Sequence, residues 1–78
     1  MNVQFRLKEL MARKERLGGE RVTYRDISEA TGISPNTLTL LANNRMKHIG
    51  LTTIGRLLDF FDCDPGDLIV RIKENDRP

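Results

Sequence analysis

The chain has 78 residues, 31% of them charged, and a formal net charge of +2 at pH 7. A chain of this length predicts one small domain, residues 1–78, with little room for an enzymatic cleft. No apolar run approaches the roughly 18 residues of a membrane span, and no N-terminal secretion signal is visible. The single cysteine, Cys63, excludes an internal disulfide, and nothing indicates an oxidising compartment. We therefore expect a cytoplasmic protein.

Both ends of the chain alternate apolar and polar residues. The apolar members of this pattern are Val3, Phe5, Val70 and Ile72. Period-two alternation of Val, Ile and Phe indicates strands, and a lone strand leaves its backbone groups unpaired. One interpretation pairs residues 2–5 with residues 69–73 in a two-stranded antiparallel sheet, and the other is two frayed termini.

Leu7, Leu10 and Met11 stand at helical spacing and predict a first helix over about residues 6–16. Gly18 and Gly19 end it. The other face of this helix is strongly charged, which is more typical of a solvated surface than of a binding site.

The middle of the chain predicts two short helices joined by a tight turn. Thr23 is a good N-cap, and Asp26 three residues later can complete a capping box. Gly32 lies where the chain leaves the first helix, a position that favours glycine. Ser34 then caps a second helix, with Pro35 at its first position. Two helices joined in this way form a helix-turn-helix, whose second helix can enter a DNA groove; the alternative is an ordinary helical hairpin.

Apolar residues at helical spacing predict one core beneath the second motif helix. The inward positions of the two motif helices are Ile27, Ala30, Leu38, Leu41 and Ala42. Thr52 or Thr53 is expected to cap a fourth helix. Its inward stripe is Ile54, Leu57, Leu58 and Phe61. A very short fifth helix follows, with Asp64 as cap, Pro65 at its first position and Asp67 as third-position acid.

Charge is distributed unevenly along the chain. No Asp or Glu lies between Ala30 and Leu58, and six of the eleven acidic residues follow that window. Three basic residues and the single histidine lie within it: Arg45, Lys47, His48 and Arg56. The second motif helix and the loop after it are therefore free of charge that repels phosphate.

The segment TYRDISEATGISPNTLTLLANNR, followed by LTTIGRLLDFFDCDPGDLI, resembles the Xre/Cro-like family of bacterial and phage repressors. The resemblance extends from Phe5 to Ile69, with the motif at about residues 23–43. Ser28 stands where the family usually has Ala, and Thr31 replaces a usual apolar residue. The resemblance implies an all-α, compact five-helix repressor-like domain and sequence-specific DNA binding. Short terminal strands occur in some relatives, which favours the two-stranded sheet.

Base contacts are expected on the outward face of the second motif helix, Pro35 to Asn43. The residues of this face are Asn36, Thr39, Leu40 and Asn43. Asn suits adenine, and Thr offers a hydroxyl or a methyl group. Leu40 is either a tolerated surface leucine or a contact to a thymine methyl group. Because this helix has no Arg or Lys, the commonest guanine contact is missing, and we expect an A·T-rich half-site.

The family places phosphate contacts at the start of the first motif helix and around the loop after the second. The corresponding residues are Thr23, Tyr24, Arg25, Asn44, Arg45, Lys47 and His48. Backbone N–H groups at the helix starts, Thr23–Arg25 and Thr52–Thr53, add attraction for anions.

The partner expected from the resemblance is a double-stranded DNA operator, bound by a weak homodimer. Candidate dimer surfaces are Phe60, residues 68–72 and the N-terminal strand. The alternative function is a protein-interaction module, such as an antitoxin or a regulator-binding adaptor on the same fold. An enzyme is not expected: a catalytic interpretation has only Cys63 and His48, which nothing orients, and no cofactor or metal motif is present.

Overall fold

The computed structural model of the protein describes residues 3–72. Within this range the elements are β1 (Val3–Phe5), α1 (Leu7–Gly18), α2 (Tyr24–Thr31), α3 (Pro35–Ala42), α4 (Leu51–Phe61), α5 (Pro65–Leu68) and β2 (Ile69–Arg71). This arrangement confirms the predicted five-helix, repressor-like fold with a small two-stranded terminal sheet. Residues 2 and 73, the outer ends of the predicted strands, lie outside the described residues.

The terminal sheet brings the two ends of the chain together. β1 and β2 are antiparallel, with Val3 opposite Arg71, Gln4 opposite Val70 and Phe5 opposite Ile69. Phe5 and Ile69 also pack against the core. The strand interpretation of both termini is therefore confirmed, although β2 ends at Arg71 and Ile72 lies beyond it.

α2 begins and ends as the local sequence predicts. The Thr23 hydroxyl accepts a hydrogen bond from the Asp26 N–H at 3.1 Å, and the Asp26 carboxylate accepts one from the Thr23 N–H at 3.0 Å. At the other end, Gly32 adopts a left-handed conformation with φ of 79°. The chain can then turn directly into α3, whose N-cap Ser34 accepts from the Thr37 N–H at 3.1 Å.

The inward face of α2 differs from the prediction at one position. Ala30 is exposed, and Thr31 is buried with Ile27. Residues four apart lie on the same side of a helix, so Ile27 and Thr31 face the core together. The Thr31 hydroxyl donates to the Ile27 carbonyl at 2.6 Å and accepts from the Ile33 N–H at 3.2 Å. Because the buried hydroxyl is fully bonded, a polar residue is accommodated where the family usually has an apolar one.

α4 starts earlier than predicted. Its N-cap is Gly50, so Thr52 and Thr53 lie inside the first turn and the predicted threonine cap is wrong. The Ile54 N–H donates to the Gly50 carbonyl at 3.1 Å, which closes the first turn on the glycine. Extended backbone at Gly50, with φ of −79° and ψ of 153°, suits an N-cap, and glycine is accepted there.

The buried side chains form one cluster beneath α3. Its members are Leu7, Leu10, Ile27, Ile33, Leu38, Leu41, Ala42, Leu57, Phe61 and Leu68. Met11, Ile54 and Leu58, also predicted to point inward, are partly buried against this cluster. The cluster holds α3 by its apolar side and so determines which face of that helix meets solvent.

Candidate nucleic-acid interface

α3 is held by its apolar face and presents a polar face to solvent. Leu38 and Leu41 are fully buried. Asn36, Thr39 and Asn43 are exposed. A short helix anchored in this way has the geometry that groove binding requires, since its outward side chains are presented on a rigid support.

The polar atoms of this face are not equally free. The Thr39 hydroxyl donates to the Pro35 carbonyl at 3.0 Å, and the Asn43 amide donates to the Thr39 carbonyl at 3.0 Å. Between residues 3 and 72, no side-chain hydrogen bond involves Asn36. Its amide can therefore meet a base edge without first breaking an internal bond. Leu40 is half-buried, which is compatible with either interpretation of this residue.

The start of α2 holds three of the predicted phosphate contacts. The Thr23 N–H is bonded within the capping box, and Tyr24 is half-buried against the core. The side chain of Arg25 is 86% exposed, with its Nε 3.3 Å from a carboxylate oxygen of Glu29. An exposed pair of this kind contributes little to stability, so the guanidinium can exchange Glu29 for a phosphate at small cost. The Asp26 carboxylate, however, makes this helix start less attractive to anions.

The loop between α3 and α4 exposes its basic side chains to solvent. Arg45, Lys47 and His48 are exposed, whereas Met46 and Ile49 are half-buried against the core. The apolar residues thus hold the loop on the protein surface. The basic residues are left accessible beside the end of α3.

Asn44, the remaining predicted phosphate contact, is exposed but already bonded within the protein. Its backbone has φ of 58°, in the left-handed region. Its Oδ1 atom accepts a hydrogen bond from the Phe5 N–H at 2.7 Å. The amide nitrogen remains as the donor available to a phosphate.

The start of α4 differs from the start of α2 in having no side-chain cap among the described residues. Gly50 supplies no capping side chain, so the N–H groups of Leu51, Thr52 and Thr53 have no side-chain acceptor among the described residues. Sequence reasoning assigned no role to Leu51, which is 85% exposed beside this helix start. Because Leu51 lies three residues before Ile54, helical spacing alone groups it with the inward stripe, and the sequence carried no signal of its exposure.

Arg56 is a second residue that the site prediction missed. Its Nη1 atom lies 3.4 Å from the Thr31 carbonyl oxygen, at the C-terminal end of α2. A cation at this end of a helix interacts favourably with the helix dipole. Arg56 thus ties α4 to the turn between the two motif helices. Its place in the acid-free window was the signal in the sequence.

Phe60, a candidate partner or dimer surface, is half-buried. Its ring centroid lies 4.9 Å from that of Phe61 in an edge-to-face arrangement. The Lys14 Nζ atom lies 4.9 Å from the same centroid. Part of the Phe60 surface is therefore already used by contacts within the chain.

Cys63, the candidate nucleophile of the catalytic interpretation, is not activated by its surroundings. Burial raises the pKa of the Cys63 thiol, and the nearby Asp67 carboxylate raises it further. The thiol is therefore protonated at neutral pH and a poor nucleophile. Within residues 3–72, no group of three or more His, Cys, Asp or Glu side chains is placed to hold a metal ion. No helix in that range is both long enough and apolar enough to cross a membrane.

The anchored α3, the glycine turn and the uncharged outward face together define a helix-turn-helix domain. Residues 6–74 match the family model of the Cro/C1-type HTH DNA-binding domain. The chain therefore belongs to this family, which confirms the Xre/Cro-like resemblance.

One relative is an uncharacterized HTH-type transcriptional regulator, YozG, from Bacillus subtilis (strain 168), 30% identical over 53 residues. The match covers 68% of this chain and 63% of the relative, so it spans less than two thirds of that protein's length. No solved structure shows significant similarity to the chain.

Proposed function

We propose that the protein is a sequence-specific DNA-binding transcriptional regulator, a repressor, that inserts α3 into the major groove of an operator. The observation that carries this proposal is the exposed, acid-free face of α3, whose opposite face is buried in the core. The eight residues of α3 extend about 12 Å, which fits a groove about 12 Å wide. The printed name of the relative, a transcriptional regulator, supports the same role. Such a regulator acts in the cytoplasm of a prokaryote.

The contacts divide into two groups. Asn36, Thr39, Leu40 and Asn43 face the bases, with Asn36 first because its amide has no hydrogen-bond partner among residues 3–72. The phosphate contacts are Thr23, Tyr24, Arg25, Asn44, Arg45, Lys47 and His48. Among the helix starts, the uncapped N–H groups of α4 are better suited to a phosphate than those of α2. The whole 1–78 chain acts as one DNA-binding domain.

Random-site selection with the purified chain tests this function. We expect enrichment of one motif whose half-sites are rich in A·T where α3 enters, with any guanine contacted by Arg45 from the adjoining loop. A parallel selection without protein is the control. A protein-interaction module, the alternative function, gives no enriched motif, and a half-site dominated by G·C contradicts the assignment of base contacts to α3.

A weak homodimer completes the proposal, because one short helix contacts too few bases to select a site in a genome. The sheet edge at β2 is the surface we favour. On β1, the outward Phe5 N–H is bonded to Asn44. On β2, the Ile69 N–H is bonded to the Pro65 carbonyl, but strand alternation leaves the backbone of Arg71 facing outward, with no hydrogen bond on that side to any residue between 3 and 72. A second copy can add its own β2 at this edge.

Replacing Arg71 with Pro is expected to leave one protomer on each operator, because it removes the outward N–H without touching the pairing with β1. Arg71→Ala is the matched control and should still bind the operator as a homodimer. Sedimentation of the protein on an operator fragment measures both. One wild-type protomer on each operator, with no symmetric footprint, contradicts the homodimer.

A further inference from the structure

Asn44 occupies a position at which glycine is the usual residue. The Asn44 N–H donates to the Leu41 carbonyl at 3.1 Å, and the Arg45 N–H donates to the Leu40 carbonyl at 2.8 Å. These two bonds form a Schellman motif, whose left-handed residue is most often glycine. Asn44 adopts φ of 58° there. Asparagine also adopts this conformation, and unlike glycine it has a side chain that can form a further hydrogen bond.

The Asn44 side chain forms a hydrogen bond to the other end of the chain. The Asn44 Oδ1 atom accepts from the Phe5 N–H at 2.7 Å, across 39 residues of sequence. The Phe5 N–H points away from β2, since the neighbouring Arg6 N–H is the one that donates to the Leu68 carbonyl. β1 is thus bonded on both sides, to β2 on one and to Asn44 on the other.

We propose that Asn44 is a positioning residue that couples the terminal sheet to the basic loop. Asn44 is the left-handed residue at which the chain leaves the end of α3 and enters the loop that carries Arg45 and Lys47. When β1 is paired with β2, the Phe5 N–H is held in place and fixes the side chain of Asn44. The loop then leaves α3 in one direction, with its cations already placed.

This coupling affects DNA affinity through the cost of ordering the loop. A loop released from β1 samples more conformations, and binding a phosphate must then order it. The effect on affinity rests on the proposed function, whereas the coupling itself is a property of the free protein. The two can therefore be measured separately.

The bond is tested in the free protein with two substitutions of Asn44. Asn44→Gly keeps the left-handed backbone and removes the acceptor; Asn44→Asp keeps both. We expect the Phe5 amide to exchange about 5- to 10-fold faster in Asn44→Gly and at nearly the wild-type rate in Asn44→Asp. The Tm of Asn44→Gly should be unchanged or higher, because glycine is preferred at this position. A Phe5 amide that is unprotected in the wild type, or unaffected by Asn44→Gly, overturns the proposal.

The coupling is tested by breaking the sheet while Asn44 stays in place. Strand alternation directs the Gln4 N–H toward β2, so Gln4→Pro removes that bond. ¹⁵N relaxation should show increased backbone motion at Lys47 and His48 in both Gln4→Pro and Asn44→Gly. Unchanged relaxation at these residues in Gln4→Pro overturns the coupling, whether or not the protein binds DNA.

The consequence for DNA is measured on a random duplex. Asn44→Gly and Gln4→Pro should each weaken binding about 3- to 10-fold. The double variant should bind no more weakly than the weaker-binding single variant, because both substitutions break the same coupling between the sheet and the loop. Weaker binding by Asn44→Gly alone shows that Asn44 only donates to a phosphate, and it overturns the coupling. If the wild type binds no DNA, the proposed function fails while the relaxation result still decides the coupling.

Discussion

Replacing Leu57 with Ala should lower the free energy of unfolding by about 2–5 kcal/mol. Leu57 is fully buried, on the inward side of α4. The truncated side chain loses its transfer free energy and leaves a cavity that neighbouring side chains fill only in part. Because a chain of 78 residues has a small core, this loss is a large part of its total stability. Urea denaturation followed by circular dichroism measures the change.

Leu51→Ala is the matched control for this prediction. It makes the same chemical change in the same helix, at a side chain that is 85% exposed. We expect a change within about 0.5 kcal/mol, as for other surface substitutions. Equal losses of stability in Leu57→Ala and Leu51→Ala would show that α4 does not bury the face that carries Leu57.

Asn36→Ala should weaken binding to the selected operator by about 1–3 kcal/mol and change binding to random DNA little. The Asn36 amide is exposed, lies near the start of α3 and is not hydrogen-bonded to any described residue, so the substitution should remove the proposed base contact without disturbing the fold. A contact to a base edge contributes only where the correct base is present. Titration of both duplexes by fluorescence anisotropy gives the two changes.

Arg45→Ala provides the contrast. A phosphate contact from the loop contributes on every sequence, so this variant should lose affinity for both duplexes and show a less steep salt dependence. If Asn36→Ala instead lowers both affinities equally, Asn36 supports the helix cap or binds a phosphate. The base contacts must then be sought elsewhere on the chain.

Local rules were sufficient for the helix-turn-helix itself. The capping box of Thr23 and Asp26, the left-handed Gly32 and the Ser34-Pro35 start of α3 each involve residues within four positions of one another. Such features depend on backbone geometry and on hydrogen bonds inside a single turn. The same holds for the buried stripe of α3, which follows from helical spacing alone.

The terminal strands could not be predicted from the pattern of apolar residues alone. Alternation identified the segments around Val3 and Val70, but frayed termini explained the pattern equally well. The resemblance to the Xre/Cro-like family favoured the sheet, and the structure has the predicted pairing. Alternation describes a single strand, whereas a sheet exists only when a second strand supplies the missing hydrogen bonds.

Tertiary structure decided which residues the interface can use. The bonds of Asn44 to Phe5 and of Arg56 to Thr31 span 39 and 25 residues of sequence. Spacing within a helix carries no information about such pairs, so Asn44 was predicted only as a phosphate contact and Arg56 was given no site role. The start of α4 was expected to attract anions, but its N-cap was predicted at Thr52 or Thr53 and not at Gly50, because threonine is a common N-cap by local preference. The chain's own sequence thus determined the helix that is proposed to face DNA. Packing between distant segments decided how the loop and the helix start beside it are held, because those depend on contacts made only after the chain has folded.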